Sequence, residues 1–550
     1  MERSSRNRLR RIDCLRRCLM TFGASCVRWC GQCQPSKPRF GVWFRAGFPT
    51  PVTPTPGKES EVANKSRRKQ GAGFLIAVLF LGGLALARKN VSDPSSWGVS
   101  DTVMLKDTTI VLNENLTVHP GGSLTLDHVT LKMNVGEDGQ YRIEVDSGAA
   151  MFVRNGSVIT DGDDDDDSLP CYSKGNARFC FVVRQGALFE MRQSELHECG
   201  FASEDWSDRG LYIEADNPVI EGNRITRNFQ GIFLYSVVGA RLVDNQIDSN
   251  SRGVCLHTSK HDTLIGNSIS YNYGTGLMLD SADSNVVDSC VVIGNSRAPD
   301  ECGSLYLWDA DYNRITNCTI NRSFRRGLLV FGRCLHNTIK ANTIKGNGWE
   351  GIFLADSACH NVIEDCVICD NVLGGVNIAT SPAREAIPVH YGHRNTIKNC
   401  IIGNNHSVGI RLGHLSDSTV IEGTRIVGNR YGILIDSTST GNRITGSDIA
   451  ESAVHGVYII RNSSATIEDC NLSSNGGDGI RSEEGSYLIA AYNNITDNRG
   501  YGACNTDSTV TVDARHNWWG SAAGPGDGVS ELVLYKPWLR EPAGEVYQAE

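Results

Sequence analysis

The sequence predicts an all-β solenoid, a right-handed parallel β-helix with three strands per coil, and two features indicate this fold class. The first is a repeat with a period of roughly 21–28 residues and one unit of about 34, which is typical of solenoids. Each unit opens with a glycine or serine and contains three short runs of alternating β-branched and aliphatic residues, which indicate strands. The units open at Gly210, Gly231, Gly253, Gly276, Ser304, Gly327, Gly351, Gly375, Gly409, Gly432, Gly456, Gly479 and Gly502.

The second feature is a pair of in-phase columns of small polar residues. One column precedes the third strand, where we expect a tight turn whose left-handed backbone Asn tolerates. The other precedes the opening glycine, and stacked Asn side chains in both can hydrogen-bond along the axis. A Cys in such a column is expected to behave as a small hydrophobe. The first column is Asn223, Asn245, Asn267, Cys290, Cys318, Asn342, Cys366, Cys400, Thr424, Ser447, Cys470, Asn493 and Asn517; the second is Asn228, Asn250, Asn272, Asn347, Asn371, Asn405, Asn429, Asn475 and Asn498.

The composition fits one elongated β domain with a separate N-terminal piece. The chain has 550 residues, including 58 glycines, and only 7% are aromatic. Its 62 acidic and 53 basic side chains give a net charge of −9 and a pI near 5.8, which argues against nucleic-acid binding. We expect irregular early coils over 101–209, regular coils over 210–520, and a C-terminal cap and tail over 521–550.

The N-terminal hundred residues are expected to export the coils. Residues 1–70 are Arg-rich and then Pro/Thr-rich, which predicts a disordered tail. Residues 71–87 form one apolar run, at the short limit of a membrane span, and 88–100 form a linker. The excess of Lys and Arg before the run predicts an anchor with the coils outside the cytoplasm. A signal peptide cleaved after Ala87 is the alternative, which would make the protein secreted.

An acidic run over 161–167 is a candidate Ca²⁺ site, because clustered carboxylates suit that ion. Its candidate ligands are Asp163, Asp165 and Asp167. The run has no EF-hand spacing, and a solvated loop is its more ordinary explanation. Ca²⁺ is the candidate cofactor.

The outward side of the opening strand carries the strongest functional signal. A strand face in water should be polar, but the residues two and four places after each opening glycine include many aromatic rings, and exposed apolar patches usually mark contact surfaces. Rings beside carboxylates and His suit a sugar ring. The alternative is that a loop covers this face as a secondary core. The predicted ligand-binding residues are Tyr212, Phe233, Tyr235, Tyr306, Trp308 and Phe353, with His390, Tyr391 and His393 from a long loop beside the face.

Acid–base catalysis is an alternative use of the same face. Glycoside hydrolysis needs two carboxyls ~5–10 Å apart, which Asp280 with Asp309 or Asp311 could supply. A lyase or epimerase needs a base, and a cation that neutralises a uronate carboxylate. Asp is also common in turns for purely structural reasons. The candidate catalytic residues are His257, Asp280, Asp309, Asp311, Arg333 and Asp356.

The end of the chain resembles the closing segment of right-handed parallel β-helix repeat proteins. The matching residues are Asn517-Trp518-Trp519-Gly520, Gly524-Pro525 and Tyr535-Lys536-Pro537-Trp538-Leu539. With the coils, the resemblance spans roughly Asp101 to Pro542. It is to the pectin-lyase-like superfamily, in the carbohydrate-binding and sugar-hydrolase group that includes NosD-like proteins.

The resemblance implies a solenoid whose Trp residues cap the open end. The polygalacturonase motifs Asn-Thr-Asp, Gly-Asp-Asp and Arg-Ile-Lys are absent as a set, as is the alginate-epimerase motif Asp-Pro-His, so no catalytic residue is implied. We therefore expect an exported surface protein that binds polysaccharide or another surface polymer. One alternative is a lyase, hydrolase or epimerase acting on uronate-containing glycans. A second is a NosD-like metal-handling protein, with candidate copper or zinc ligands at His257, His390, His393 and His414.

Overall fold

A computed structural model of the chain describes residues 96–162, 177–298, 303–379 and 394–544. Within these ranges the chain forms 49 parallel strands and one three-residue 3₁₀ helix, Trp206–Asp208. The predicted all-β parallel solenoid is therefore confirmed. No helix in this part of the chain has the length and apolar character needed to cross a membrane. Several predictions concern residues outside these ranges. They are the disordered tail, the apolar run over 71–87, the candidate Ca²⁺ ligands Asp163, Asp165 and Asp167, and the loop residues His390, Tyr391 and His393.

Each coil has three faces, which we name the opening, middle and closing faces in chain order. Across the described residues the opening face contains 17 strands, one for each coil. They are Ser96–Val99, Asn115–Val118, Arg142–Val145, Cys180–Val183, Gly210–Ile213, Gln230–Tyr235, Arg252–His257, Leu277–Asp280, Gly303–Trp308, Arg326–Phe331, Glu350–Ala355, Gly374–Ala379, Val408–Gly413, Tyr431–Ile435, Val457–Ile459, Ile480–Ser482 and Ala503–Asn505.

The middle and closing faces begin as two long strands, Thr102–Leu112 and Ser123–Met133, each of which runs through both faces. Later coils break them into separate short strands. The middle-face strands are Ala150–Arg154, Leu188–Arg192, Val219–Glu221, Arg241–Val243, Thr263–Ile265, Val286–Asp288, Arg314–Thr316, Thr338–Lys340, Val362–Glu364, Thr396–Lys398, Val420–Glu422, Asn442–Thr445, Ser464–Glu468, Tyr487–Ala491, Val512–Asp513 and Val533–Leu534.

The closing face completes each triangle before the chain rises to the next coil. Its separate strands are Val158–Asp161, Glu195–His197, Arg224–Thr226, Gln246–Asp248, Ser268–Ser270, Val291–Ile293, Thr319–Asn321, Thr343–Lys345, Val367–Cys369, Ile401–Gly403, Arg425–Val427, Asp448–Ala450, Asn471–Ser473 and Asn494–Thr496.

The core is a stack of inward aliphatic side chains along the solenoid axis. On the middle face Ile339 pairs with Ile363, and Ile363 pairs with Ile397. On the closing face Ile344 pairs with Ile368. All of these side chains are fully buried. Identical residues repeat at identical positions, so the strands stay in register and every outward position also falls into a column.

The corners between faces correct one expectation. The column Asn residues do not adopt the left-handed backbone; the residue before each one does. Ala341, with φ of 54°, precedes Asn342, and Asp365, also at 54°, precedes Cys366. Ala341 and Asp365 are exposed, so the left-handed position tolerates many residue types. The inward residue that follows is the one restricted to small polar side chains.

Asn is favoured in the columns because its amide satisfies backbone groups of neighbouring coils. The Oδ1 atom of Asn371 accepts the backbone N–H of Asn347 at 3.0 Å and its side-chain Nδ2 at 2.9 Å. Asn347 Nδ2 also donates to the Ile320 carbonyl at 3.2 Å. The expected axial hydrogen bonding is therefore confirmed. A third such column, after the opening face, was missed from the sequence: Asp262, Asn285, Asn313, Asn337, Asn361 and Asn395.

The opening glycine is required by close approach of the next coil. A Cβ atom on Gly351 would lie 2.7 Å from Ile368 Cγ2, 2.8 Å from Asn371 Nδ2 and 2.9 Å from the Gly375 carbonyl oxygen. Any side chain there would collide with both the core and the Asn column.

The Trp-rich segment caps the C-terminal end of the core, as the resemblance implies. Trp519 is buried within the core cluster, and Tyr535 and Trp538 pack against it. The Tyr535 and Trp538 rings stack with centroids 6.0 Å apart. These rings cover apolar side chains and strand edges that the last coil would otherwise expose.

Candidate ligand face on the opening strands

The outward residues of the opening face form two axial columns. Phe353 pairs with Leu329 on one side and with Asn377 on the other, which is the register that the glycine spacing predicts. The first column is Tyr212, Phe233, Cys255, Met278, Tyr306, Leu329, Phe353, Asn377, Arg411, Leu434, Tyr458, Arg481 and Cys504; the second is Tyr235, His257, Asp280, Trp308, Phe331, Ala355 and Ala379.

The N-terminal part of this face is covered by Trp206, from the 3₁₀ helix that precedes the fifth opening strand. Its ring centroid lies 5.8 Å from that of Phe233 and 5.7 Å from that of Tyr235. Tyr212 and Phe233 are 5% and 6% exposed. Burial raises the pKa of the Tyr212 hydroxyl, which donates to Glu214. The predicted ligand-binding residues Tyr212, Phe233 and Tyr235 therefore pack with Trp206 as a secondary core. This is the alternative to a ligand surface for this part of the face.

His257 and Asp280 meet at the edge of that covered cluster. His257 Nδ1 lies 2.8 Å from Asp280 Oδ2, and its ring contacts Trp206 edge to face at 4.5 Å between centroids. The His257 side chain is 9% exposed and that of Asp280 is 18% exposed. The two candidate catalytic residues therefore form a hydrogen-bonded pair with limited access from solvent.

The next coils present what we name the central patch, formed by Tyr306, Trp308 and Phe331. The Tyr306 and Trp308 rings stack with centroids 6.1 Å apart, and Phe331 meets Trp308 edge to face at 6.2 Å. All three side chains are half-buried. The three partly accessible rings, two on one strand and one on the next, offer a sugar ring an aromatic surface.

A buried ion pair joins the first residues of two successive opening strands, Arg326–Phe331 and Glu350–Ala355. Arg326 Nε lies 3.0 Å from Glu350 Oε2, and both residues are buried. The Arg326 guanidinium is 4.6 Å from the ring centroids of both Trp349 and Phe353. The predicted ligand residue Phe353 thus packs against a guanidinium that is already paired, as does Trp349, which the sequence analysis missed.

Asn377 continues the column beyond this ion pair. Its Nδ2 donates to Glu350 Oε1 at 3.3 Å, and its side chain is buried. Within the described residues its Oδ1 has no hydrogen-bond donor.

The remaining catalytic candidates lie in the corner between the opening and middle faces. Asp309 accepts the backbone N–H of Arg333, and Asp311 accepts that of Leu335, both at 2.7 Å. Asp309 and Asp356 have left-handed backbone, with φ of 47° and 58°. Burial raises the pKa of the Asp311 carboxyl, as does the nearby Asp283. These carboxylates hold the backbone of the following coil, a role that accounts for Asp309 and Asp311 without catalysis.

The C-terminal part of the face carries charged residues, and Tyr458 and Arg481 within it were missed from the sequence. Arg411 contacts Asp436 through Nε at 3.1 Å and through Nη2 at 2.9 Å. Two coils further on lies Tyr458, followed by Arg481. Both follow from the rule that the second residue after the opening glycine points outward, applied to Gly456 and Gly479.

Metal-ligating side chains are dispersed in the described part of the chain. No group of three or more His, Cys, Asp or Glu residues there is arranged to hold a metal ion.

Two family models match the regular coils. The model described as periplasmic copper-binding protein (NosD) matches residues 181–304 and 376–513. The model described as right-handed β-helix region matches residues 300–385, between those two stretches. No curated protein is a significant match.

Several solved structures are similar at low sequence identity. The periplasmic alginate epimerase AlgG is 13% identical, over 70% of this chain and 78% of that one, with a TM-score of 0.32. The A-module of the Azotobacter vinelandii mannuronan C-5 epimerase AlgE4 is 14% identical, over 76% and 90%, with a TM-score of 0.30. The tailspike of Escherichia coli bacteriophage HK620, solved with a pentasaccharide, is 8% identical, over 70% and 69%, with a TM-score of 0.33.

TM-scores this low carry no inference about function. The parallel coils of the structure and the two family models, taken together, identify the chain as a right-handed parallel β-helix repeat protein.

Proposed function

We propose that this protein binds a polysaccharide or another surface polymer along the opening face, with the central patch as the main contact. The observation that carries this proposal is the stacked pair Tyr306 and Trp308, half-buried on a face where polar residues are expected. Indole and phenol rings in such a position bury the CH faces of sugars.

The structural setting supports binding by a rigid surface. Each ring stands on a strand that is hydrogen-bonded to both neighbouring coils, so little conformational freedom is lost on binding. The axial repeat also places further outward side chains every ~4.8 Å along the face. A linear polymer that lies along the axis would therefore meet successive side chains of the same two columns.

We further propose that the coils act outside the cytoplasm. The support is the apolar run over 71–87 with basic residues on both sides, which fits either a membrane anchor or a cleaved signal. A bound polymer at a cell surface is consistent with either arrangement.

The test is a glycan array probed with the full chain, followed by affinity measurements on two variants. Trp308→Ala is expected to weaken binding by about 5- to 30-fold, since loss of one stacked ring removes roughly 1–2 kcal/mol. Tyr492→Ala removes a 51% exposed ring from a corner away from the opening face and serves as the matched control. Equal affinities for wild type and Trp308→Ala would contradict the proposal, and release of shortened or modified glycan would favour the enzymatic alternative.

A further inference from the structure

A second group of aromatic and charged side chains lies on the same face, far from the central patch. We name it the distal cluster: Tyr431, His455, Tyr458, Arg481 and Glu483, with Asp478 paired to Arg481. Tyr458 is six coils beyond Tyr306 in the first outward column, which is about 29 Å at ~4.8 Å per coil.

The aromatic part of the distal cluster is a pair of stacked rings. The Tyr431 and Tyr458 rings stack with centroids 6.0 Å apart and an interplanar angle of 21°. The His455 ring lies 5.5 Å from that of Tyr458. All three side chains are half-buried, so part of each ring is accessible.

The polar part of the cluster is held in place by its own hydrogen bonds. Arg481 Nη1 contacts Asp478 Oδ2 at 2.9 Å, and Arg481 Nε contacts Glu483 Oε1 at 2.7 Å. The Tyr458 hydroxyl donates to Glu483 Oε2 at 2.5 Å. Because each group is fixed before a ligand arrives, binding requires little further ordering.

His455 is a neutral hydrogen-bond donor in this arrangement. Its Nδ1 accepts the backbone N–H of Asp478 at 3.0 Å, so the ring proton is on Nε2. Burial lowers the pKa of the His455 imidazole below its ordinary value. The 3.5 Å approach of Asp478 Oδ2 to the same nitrogen is therefore a contact with a neutral ring and not an ion pair.

The charges of the cluster disfavour an anionic sugar. Arg481 is the central cation, and two carboxylates, Asp478 and Glu483, neutralise it and leave a net charge of −1. A uronate carboxylate would have to compete with both for the guanidinium. Arg430 lies at the exposed edge, 5.7 Å from the Tyr431 ring centroid, where solvent screens its charge.

We propose that the distal cluster is a second carbohydrate subsite that takes a neutral sugar unit, packed against the exposed parts of the Tyr431 and Tyr458 rings and hydrogen-bonded by His455 and Arg481. This inference rests on the proposed function, because it extends glycan binding to the far end of the same face.

Titration calorimetry of the full chain tests the subsite with neutral cello-, manno- and xylohexaose and with anionic hexagalacturonate. The Trp308→Ala variant disables the central patch and isolates the distal cluster. In that background Tyr431→Ala or Tyr458→Ala is expected to weaken neutral hexaose binding by about 3- to 10-fold. Tyr458→Phe keeps the ring and is expected to retain the affinity within about 2-fold, as is the Tyr492→Ala control.

A charge substitution at Glu483 tests the preference for a neutral sugar. This preference would not change if Glu483 had only a structural role. Glu483→Gln removes one of the two carboxylates. We expect it to reduce the ratio of the affinity for neutral hexaose to the affinity for hexagalacturonate by about 3-fold or more. Glu484→Gln is the matched control, because that neighbouring side chain is 61% exposed and pairs with Arg461 at 3.9 Å.

The outcomes separate the two proposals. A wild-type chain that binds none of these glycans contradicts the proposed function and the subsite together. Binding that is lost completely in Trp308→Ala alone overturns the subsite and leaves the central patch in place. Hexagalacturonate that binds at least as tightly as the neutral hexaoses, and that loses affinity in Arg430→Gln, overturns the assignment to a neutral sugar.

Discussion

Asn342 and Cys366 occupy the same corner of successive coils, with Asn342 Nδ2 4.0 Å from Cys366 Sγ. The preceding member of this column, Cys318, donates its backbone N–H to Asn342 Oδ1 at 2.8 Å. This axial relationship fixes the register of the strands between the corners. A shift of one residue would exchange every inward and outward side chain, so the outward position of Trp308 depends on it.

Loss of one internal Asn should destabilise the solenoid. Asn371 Oδ1 accepts two donors from Asn347, and Asn371 Nδ2 donates to Asn405 Oδ1 at 3.0 Å. Asn371→Ala would leave these buried groups unsatisfied, and we expect the free energy of unfolding to fall by about 2–4 kcal/mol. Urea unfolding measures this. Thr343→Ala, at an exposed closing-face position, is expected to change it by under ~0.5 kcal/mol, and an equal effect at both positions would contradict the role of the column.

Asp262 occupies a position where the later coils have Asn, and it should make stability depend on pH. The side chain is fully buried, its Oδ1 accepts the Ala240 N–H at 2.7 Å, and burial raises its pKa to about 7. Because the folded pKa is above the unfolded value of about 3.9, the protonated form stabilises the fold below pH ~4. That contribution is lost as pH rises through about 7.

Asp262→Asn should therefore stabilise the protein mainly at neutral and alkaline pH. Asn has the same shape, stays neutral and supplies a donor, so we expect the free energy of unfolding to rise by roughly 2–4 kcal/mol at pH 8 and by under ~1 kcal/mol at pH 4. Asp244→Asn, at an exposed corner, is the control. Destabilisation by Asp262→Asn at pH 8 would show that the carboxylate is needed ionised.

Trp206 should control access to the covered end of the opening face. Cys255 is buried in the same cluster, at 7% exposure. In Trp206→Ala we expect iodoacetamide to alkylate Cys255 in the native protein at least about 5-fold faster, since a ring packed against the same cluster is gone. Peptide mass spectrometry resolves the site, with the fully buried Cys290 as the internal control. Equal rates of Cys255 alkylation in wild type and Trp206→Ala would mean that Trp206 does not limit access to the cluster.

Removing one partner of the ion pair between Arg326 and Glu350 should lower the free energy of unfolding strongly. Arg326→Ala leaves a buried carboxylate uncompensated, and we expect a loss of about 3–5 kcal/mol in the free energy of unfolding. Adding Glu350→Gln should restore part of that loss in a double-mutant cycle. Arg443→Ala breaks an exposed pair with Glu468 and is expected to cost under ~1 kcal/mol. Similar losses for both Arg variants would contradict the importance of burial.

The fold was predictable from the sequence because the solenoid repeats one local pattern many times. The opening glycine and the inward aliphatic residues recur in every unit, and equivalent positions of successive units lie side by side along the axis. Counting from each opening glycine therefore gives the residues of the outward columns. The third Asn column was missed because its members follow turns of variable length after the opening strand: a short turn separates Ala355 from Asn361, and a much longer one separates Ala379 from Asn395.

The candidate site was less predictable, because insertions decide what covers the face. Nothing in the repeat indicates that the loop before Gly210 returns Trp206 to the rings of Phe233 and Tyr235. Likewise, the pairing of His257 with Asp280 followed from the column, but its burial did not. Tyr458 and Arg481 of the distal cluster could have been found by extending the same count to the units that open at Gly456 and Gly479. The pairing of Arg481 with Asp478 and Glu483 could be seen only from the side-chain geometry.

Carbene footprinting of the full chain, with and without a saturating glycan ligand, tests binding along the opening face most directly. Labelling resolved by peptide is expected to fall at Tyr306 and Trp308 on addition of the glycan, while Tyr492 remains unchanged. Protection confined to the middle or closing face, with unaltered labelling of Tyr306 and Trp308, would contradict the assignment of the opening face as the ligand surface.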